Sequence, residues 1–207
     1  MKLFSLLLLG ISLLLPAAAG AQGQSAPDVL IKSVTNEVLD IVRRDKDIQA
    51  GNYKKAIELF EAKVLPHFNF THMTQLALAK DWRGASPVQQ KVLTEEFRTL
   101  LVRTYSKALT EYKDEAIEYK PFKMAATETD VKVRTQIKQP GGKPIPLDYY
   151  LEKLPQGWRV YDIEVDGISL VINYRDDFAA QVRNGGIDGL VKYLQTKNRN
   201  VATSEKK

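Results

Sequence analysis

The first half of the chain carries the hydrophobic spacing of amphipathic helices. Apolar residues recur every three or four positions at Leu30, Val34, Val38 and Ile41, which places them on one face of a helix. Pro27 lies just ahead of them and suits the first turn, where a helix makes no use of the backbone N–H that proline lacks. The pattern predicts a first helix that begins at Pro27 and buries one face.

Three more helices are expected before the pattern changes. One follows the stop at Gly51-Asn52 and ends before Pro66, and the next is capped by Asn69 or Thr71. The longest opens at Ser86-Pro87-Val88-Gln89, which fits a capping box with proline in the first turn. Its broad apolar stripe, which has to cover a wide surface, consists of Val92, Phe97, Leu100, Leu101, Thr104, Tyr105, Ala108, Leu109 and Tyr112.

After Tyr112 the spacing becomes alternating, as it is in strands. Val131, Val133, Thr135 and Ile137 face one way, and the polar residues between them face the other. This alternation is typical of an antiparallel strand with one solvated side.

The alternating segment is the second of four strands in a predicted antiparallel meander. The first strand covers Ile117 to Met124, where Pro121 favours the edge of a sheet. The third runs from Ile145 to Leu151 after a turn at residues 140–143, and the fourth runs from Trp158 to Val165.

A second helical region is predicted after the sheet. Val171, Tyr174, Phe178 and Val182 have helical spacing, and the glycines within residues 184–190 predict a kink or a capped break before a last short helix. Residues 198–207 are expected to form a polar C-terminal tail. Helices, then a sheet, then helices define an α+β fold, which we expect to form one domain over residues 22–197.

Residues 1–21 have the composition of a cleaved signal peptide. A positive residue and the apolar run Leu3 to Leu15 are followed by Pro16 and by the small-residue cleavage site Ala19-Gly20-Ala21. The run is short for a membrane span, which favours cleavage over an uncleaved anchor. We therefore expect an exported mature chain.

Composition narrows the classes of function. The chain contains no cysteine, which excludes disulfides, thiolate metal sites and a cysteine nucleophile. Its formal net charge is +5, and the basic residues form no stripe, so nucleic acid is not an expected partner. A core without disulfides has to be stabilised by the burial of apolar side chains. A chain of this length can bury enough of them.

Two groups of residues could carry chemistry. His67 and His72 lie five positions apart, whereas zinc-binding histidines on a helix are four apart, so no metal site is expected. Asp162, Glu164 and Asp166 alternate along one strand, which is compatible with a hydrolase that uses paired carboxylates. The simpler interpretation is the solvated side of an antiparallel strand, and the hydrolase is kept as the alternative function.

The remaining signal is a large number of apolar side chains on both the helices and the sheet. They could fill one another as an ordinary core or surround a ligand cavity. The spacing of residues does not separate these two arrangements, and both stay open at this point.

Several motifs resemble those of the MlaC family, also known as toluene-tolerance auxiliary proteins of the Gram-negative periplasm. The resemblance covers nearly all of the mature chain. The motifs are Val64-Leu65-Pro66, Trp82 to Gln90 with Phe97-Arg98 and Tyr105, Trp158 to Asp162, Asp166 to Val171, and Gly186 to Leu190. No single motif is decisive, but their order and spacing together are specific.

The resemblance implies a periplasmic carrier of glycerophospholipids that has no cofactor and is not an enzyme. Such a carrier shuttles lipid between an outer-membrane lipoprotein–porin complex and an inner-membrane ABC transporter with its substrate-binding ring, which maintains the lipid asymmetry of the outer membrane. The implied fold is a curved four-stranded sheet similar to nuclear transport factor 2, with an apolar cavity between the sheet and the helices. A monomer is expected.

We expect the wall of that cavity to combine apolar residues of the helices, the sheet and the segment that follows the sheet. The candidate lipid-binding residues are Phe70, Met73, Phe97, Leu101, Tyr105, Leu147, Tyr149, Trp158, Val160, Val171 and Tyr174. The rival classes are the hydrolase that uses Asp162, Glu164 and Asp166, and a protein-interaction module with a filled core.

Overall fold

The computed structural model describes residues 25–113, 115–139 and 141–204. The predicted signal peptide lies outside the described residues. The helices are α1 (Pro27–Arg44), α2 (Lys46–Gln49), α3 (Tyr53–Lys63), α4 (Phe70–Leu78), α5 (Pro87–Thr110) and α6 (Arg175–Ser204). The strands are β1 (Ala116–Tyr119), β2 (Asp130–Lys138), β3 (Ile145–Leu154), β4 (Gly157–Val165) and β5 (Ile168–Ser169). Short 3₁₀ turns cover Leu65–His67, Ala79–Gly84 and Ile172–Tyr174.

Polar side chains cap the N-termini of α2, α3, α4 and α5. The Ser86 hydroxyl accepts a hydrogen bond from the backbone N–H of Gln89, and the Gln89 side chain accepts one from the backbone N–H of Ser86. This reciprocal pair confirms the predicted capping box of α5. The Asn69 carboxamide accepts from the backbone N–H of His72, so Asn69 and not Thr71 caps α4.

The sheet is a curved antiparallel meander in the order β1-β2-β3-β4-β5. The prediction of four strands was therefore wrong by one, because β4 turns back at Asp166-Gly167 into the short edge strand β5. Both turn residues have positive φ angles, 49° and 80°, which is the geometry of a tight two-residue hairpin. The first strand is also shorter than predicted and ends at Tyr119, ahead of Pro121.

A β-bulge and a loop contact shape the fourth strand. Leu151 pairs with Val160 and Tyr150 pairs with Asp162, so Tyr161 is an extra residue in β4, and such a bulge bends the strand locally. Beyond the bulge, the edge of β4 is covered by the chain ahead of α4. There Phe68 forms a parallel bridge with Val160, and the backbone N–H of Asn69 donates to the carbonyl of Val160 at 2.8 Å.

The two faces of the sheet have different partners. Val131, Val133 and Thr135 are buried on the inner face, as the alternation predicts, and the helices lie on this side. On the outer face, Lys132 pairs with Asp148 at 2.8 Å. The helical layer and the inner face therefore enclose the apolar interior of the domain.

That interior consists of three apolar clusters. The helical cluster is built by α4, α5 and α6 around Phe97, Leu101, Phe178 and Leu190. The sheet cluster joins Ile31 of α1 to inner-face residues of β2, β3 and β4. The N-terminal cluster joins the C-terminal half of α1 to α2 and α3.

The last helix is longer than the sequence indicated. The predicted kink is present at Gly186, whose φ of 65° and ψ of −168° are not helical. The second part of α6 then continues to Ser204, past the start of the predicted polar tail. Asn198 is buried and donates to the carboxylate of Glu96 at 2.7 Å, which fastens this part of α6 to α5.

Candidate functional site

An apolar cavity of about 550 Å³ separates α1 and the C-terminal end of α5 from the inner face of the sheet. Its volume is within the range of about 300 to 1,000 Å³ that is typical of small-molecule sites. The lining consists of Leu30, Ile31, Val34, Thr35, Val38, Leu39, Phe60, Val64, His67, Phe68, Ala108, Leu109, Glu111, Tyr112, Glu115, Ile117, Ile137, Gln139, Leu147, Tyr149, Val160 and Ile163. Most of these side chains are apolar.

The first wall of the cavity is helix α1. Its apolar stripe is two residues wide at successive turns, with Leu30 beside Ile31 and Val38 beside Leu39. Ile31 also packs against the sheet cluster. A stripe of this width lets one helix contact the sheet and border the cavity at the same time.

The second wall is the inner face of the sheet. Tyr149 of β3 pairs with Val133 on one side and with Ile163 on the other, so its ring projects from the middle of the sheet. Burial raises the pKa of the Tyr149 hydroxyl to about 12, although a hydrogen bond with Thr35 of α1 acts in the opposite direction. The hydroxyl is therefore neutral and places one polar group in an otherwise apolar wall.

The inner end of the cavity is formed by the chain between α3 and α4, which includes Val64, His67 and Phe68. Burial lowers the pKa of His67, and the positive charge of Arg159 lowers it further, while Glu37 acts in the opposite direction. At neutral pH the imidazole is therefore uncharged, which suits its place beside apolar side chains.

The solvent-exposed end of the cavity is called the rim. Ala108, Glu111 and Gln139 are exposed lining residues at the C-terminal end of α5 and the end of β2. Ile31, on the opposite wall, is buried. The cavity therefore opens to solvent beside the end of α5.

The structure brings three of the predicted lipid-binding residues to the cavity, namely Leu147, Tyr149 and Val160. Trp158 belongs to the sheet cluster but does not line the cavity. The other predicted residues lie in the helical cluster: Phe70, Met73, Phe97, Leu101, Tyr105, Val171 and Tyr174. These seven residues and Trp158 do not line this cavity, and their part in lipid binding stays a prediction.

Close packing explains why the helical cluster is not part of the cavity. The ring of Phe97 contacts Phe178 edge-on at 5.1 Å between centroids and contacts Tyr174 at 5.2 Å. Phe178, on α6, also contacts the ring of Tyr174 at 5.5 Å between centroids. The apolar stripe of α5 is thus covered by α6, and only its C-terminal end reaches the cavity.

The α1 side of the wall was missed by the sequence interpretation. The stripe of Leu30, Val34 and Val38 predicts the helix but not the cavity that it borders. The signal that could have found it is the width of the stripe, since Leu30-Ile31 and Val38-Leu39 give α1 more apolar surface than a single contact needs.

Two of the three carboxylates of the alternative hydrolase are occupied by structural contacts, and Asp166 is exposed in the turn after β4. Asp162 is buried and accepts hydrogen bonds from the Ser169 hydroxyl at 2.6 Å and from the backbone N–H groups of Ile163 and Val171. Glu164 accepts from the Tyr150 hydroxyl at 2.6 Å. These contacts correct the predicted solvated side at Asp162, and the hydrolase alternative is not favoured.

The two histidines also have separate environments. His72 contacts Glu152 at 2.9 Å and stacks on Tyr161, whereas His67 lines the cavity. In the parts of the chain that the structure describes, no group of three or more His, Cys, Asp or Glu residues is placed to hold a metal ion. Over the same residues, none of the helices has the length and hydrophobicity needed to cross a bilayer.

Fold and site together define a class of protein, an α+β domain that holds an apolar ligand cavity between its helices and a curved sheet. The sequence model of the MlaC protein family matches residues 32–196. The chain therefore belongs to the MlaC family.

Individual relatives agree with this assignment. The chain is 26% identical over 163 residues to the toluene tolerance protein ttg2D of Pseudomonas putida, covering 78% of this chain and 75% of that protein. It is 24% identical over 180 residues to the intermembrane phospholipid transport system binding protein MlaC of Haemophilus influenzae, covering 84% and 83%.

A solved structure is similar over nearly its whole length. It is a phospholipid-binding protein from Ralstonia solanacearum in complex with a phospholipid, and it has 37% sequence identity and a TM-score of 0.79. The similarity covers 86% of this chain and 99% of that one.

Proposed function

We propose that this protein is a periplasmic carrier that holds the acyl chains of a glycerophospholipid in the cavity between α1 and the sheet. The observation that carries the proposal is the predominantly apolar lining of a cavity of about 550 Å³ between the helices and the sheet. The phospholipid in the Ralstonia solanacearum structure, at 37% sequence identity, supports the class of ligand.

The energetics explain why a carrier needs such a cavity. Exposing two acyl chains with about thirty methylenes to water costs on the order of 25 kcal/mol, at roughly 0.8 kcal/mol per methylene. A protein that carries lipid across an aqueous compartment has to cover most of that surface. Transfer from a bilayer gains little, because the chains are already buried there, so release to a partner needs no chemical reaction.

The proposed cellular role is the one that the family resemblance implies. We propose export to the periplasm after cleavage at Ala21, and exchange of lipid with an outer-membrane lipoprotein–porin complex and an inner-membrane ABC transporter with its substrate-binding ring. This exchange would maintain outer-membrane lipid asymmetry. Action as a monomer without a cofactor or a catalytic step, and kinship with the nuclear-transport-factor fold, remain predictions.

The lipid-binding residues are proposed from the cavity as well. Leu147, Tyr149 and Val160 are kept from the sequence prediction, and Leu30 and Val34 of α1 are added. Their side chains surround the apolar volume from both walls.

Extraction and mass spectrometry of the purified protein test the proposal. We expect bound phospholipid in the wild type and at least roughly tenfold less in Val34→Asp, because a carboxylate is costly beside an acyl chain. Val34→Trp reduces the volume of the cavity without adding charge, so it should lower the amount of bound lipid. Circular dichroism should show that this variant is folded. Val34 lines the cavity and is not part of the closely packed helical cluster.

Val88 provides the matched control. It lies in the first turn of α5 with 73% of its surface exposed, so Val88→Asp and Val88→Trp should leave bound lipid unchanged. Wild-type protein without phospholipid and without uptake from vesicles would disprove the carrier. Wild-type lipid levels in both Val34 variants would place the acyl chains elsewhere.

A further inference from the structure

We propose that the cavity selects lipids whose headgroup carries a positively charged amine, such as phosphoethanolamine, over lipids with a net negative headgroup. The inference rests on the proposed function, since it concerns the headgroup of the lipid whose acyl chains fill the cavity. The selecting residues are Glu111 and Glu115 at the rim.

The headgroup position follows from exposure along the lining. The exposed lining residues Ala108, Glu111 and Gln139 lie at the rim, and the inner walls are apolar. An amphipathic lipid places its acyl chains against the apolar walls and its headgroup where water is available. The headgroup therefore meets the rim.

The charged side chains that line the cavity are acidic. Of the cavity-lining residues within the described ranges, Glu111 and Glu115 carry acidic side chains, and none is lysine or arginine. His67 is at the inner end, where burial and Arg159 lower its pKa. A cation is thus favoured at the rim and a net anion is disfavoured, because like charges repel.

The end of α5 adds to this preference. The helix is 24 residues long, and Glu111 is its C-cap residue at the rim. The last carbonyl groups of a helix carry a partial negative charge that favours cations. Two carboxylates and a helix C-terminus therefore act in the same direction at one place.

The neighbouring cations do not cancel this field. Lys107 pairs with Glu111 at 3.3 Å, but both side chains are more than 60% exposed, and a pair of this kind exchanges readily with solvent and ligand. Glu115 accepts a hydrogen bond from the backbone N–H of Lys113, and no side-chain cation is paired with it among the contacts of the described residues.

The Arg43 guanidinium, which also contacts Asp40 at 3.5 Å, lies close to the same rim. Tyr112, which lies between the two glutamates in the sequence, also lines the cavity. Its hydroxyl accepts a hydrogen bond from the Arg43 guanidinium at 2.6 Å. Arg43 lies over the Tyr112 ring, 5.5 Å from its centroid. Positive charge behind the rim and negative charge on it suit a zwitterionic headgroup, which has a phosphate and an amine.

A competition experiment measures the selection. Lipid-free protein is incubated with vesicles that contain equal amounts of phosphatidylethanolamine and phosphatidylglycerol with identical acyl chains, and the bound lipid is extracted and quantified. We expect the ethanolamine lipid to be enriched roughly two- to fivefold, which is the range of an exposed ion pair. Glu111→Gln combined with Glu115→Gln should return the ratio to that of the vesicles.

A second double variant controls for net charge. Glu58 and Glu95 are exposed, lie outside the cavity and each pair with a lysine one helical turn away. Glu58→Gln combined with Glu95→Gln changes the total charge equally and should keep the wild-type ratio. Selection at the rim predicts different results for the two double variants, whereas general attraction to anionic vesicles predicts the same result.

The outcomes separate the two proposals. Wild-type protein that binds lipid in the vesicle ratio would overturn the headgroup selection and leave the carrier intact. Unchanged enrichment in the rim variant would also overturn the selection. Absence of any bound lipid in the wild type would overturn the carrier and the selection together.

Discussion

Asp162 has a structural role, although its spacing from Glu164 and Asp166 in the sequence is compatible with a catalytic carboxylate. Burial raises the pKa of its carboxyl group, while hydrogen bonds from Ser169, Ile163 and Val171 act in the opposite direction. These bonds tie β4 to β5 and to the turn that leads into α6. The residue therefore holds the junction between the sheet and the last helix.

Replacing this carboxylate should destabilise the domain. Asp162→Ala removes the acceptor of the hydrogen bonds from the Ser169 hydroxyl and the backbone N–H of Ile163, and each part-buried donor left without an acceptor costs about 1–3 kcal/mol. We expect a loss of about 3 kcal/mol in the free energy of unfolding, measured by urea denaturation. Asp40→Ala is the control, since Asp40 is exposed and contacts Arg43 at 3.5 Å. Equal losses for the two variants would contradict the structural role.

His67 is the residue whose protonation is coupled to the cavity. Its folded pKa is below the ordinary value of 6.5 because the imidazole is buried and near Arg159. Below pH 6.5 the unfolded chain therefore binds more protons at this position than the folded chain does. By linkage, the contribution of His67 to stability is complete above pH 6.5 and is lost as the pH falls through its folded pKa.

The corresponding measurement is an NMR titration of the His67 ring. We expect its midpoint in the folded protein to lie below 6.5, and the unfolding free energy to fall as the pH is lowered from 7.5 towards 5. His67→Gln should reduce this pH dependence, because glutamine does not titrate. A midpoint at or above 6.5 would contradict the buried environment at the inner end of the cavity.

At the scale of elements, α1 and α5 have different partners for their apolar faces. The apolar face in the middle of α5 is covered within the helical cluster, where Leu93 and Phe97 have no exposed surface. Leu30, Val34 and Leu39 of α1 are only half-buried and face the cavity. The α1 wall therefore depends on the cavity contents for part of its packing.

Hydrogen exchange should detect this dependence. Without lipid, the amides of α1 should exchange faster than those around Leu93 to Leu101 of α5, because α1 has lost the apolar contacts that a ligand supplies. Loading with phospholipid should slow exchange in α1 and leave the middle of α5 unchanged. Equal protection of α1 in both states would show that the lipid does not support this helix.

At the scale of the whole molecule, the cavity is too large to be a packing defect. An enclosed, empty cavity costs about 24 cal/mol per Å³, which for 550 Å³ would be on the order of 13 kcal/mol. That is comparable to the entire stability of a typical domain. The open rim admits water and lowers this cost, but a ligand that fills the volume still stabilises the folded state.

Removing the lipid should therefore lower the thermal midpoint. We expect a decrease on the order of 10 °C after delipidation, which corresponds to about 3 kcal/mol for a domain of this size. Val34→Trp should recover part of the loss in the lipid-free state, because the indole occupies some of the cavity. A midpoint unaffected by delipidation would indicate that the ligand contributes little to stability.

The hydrophobic pattern by itself predicts the longer helices, four of the five strands and their order along the chain. The spacing from Pro27 predicts α1, Ser86 to Gln89 predicts the start of α5, and the alternation around Val133 predicts a half-buried strand. These signals are local, because capping and the periods of helices and strands depend on residues a few positions apart. The family resemblance also came from the sequence and is confirmed.

Tertiary structure decided which apolar surfaces meet and which stay apart. Phe97 and Leu147 carry the same hydrophobic signal, yet α6 covers Phe97 whereas α1 leaves a gap above Leu147. The hairpin at Asp166-Gly167 likewise adds strand β5. Its two residues, Ile168 and Ser169, are too few to show an alternating pattern in the sequence. A hydrophobic residue gains a similar free energy in a filled core or against a ligand, so only the arrangement of the layers distinguishes a core from a cavity.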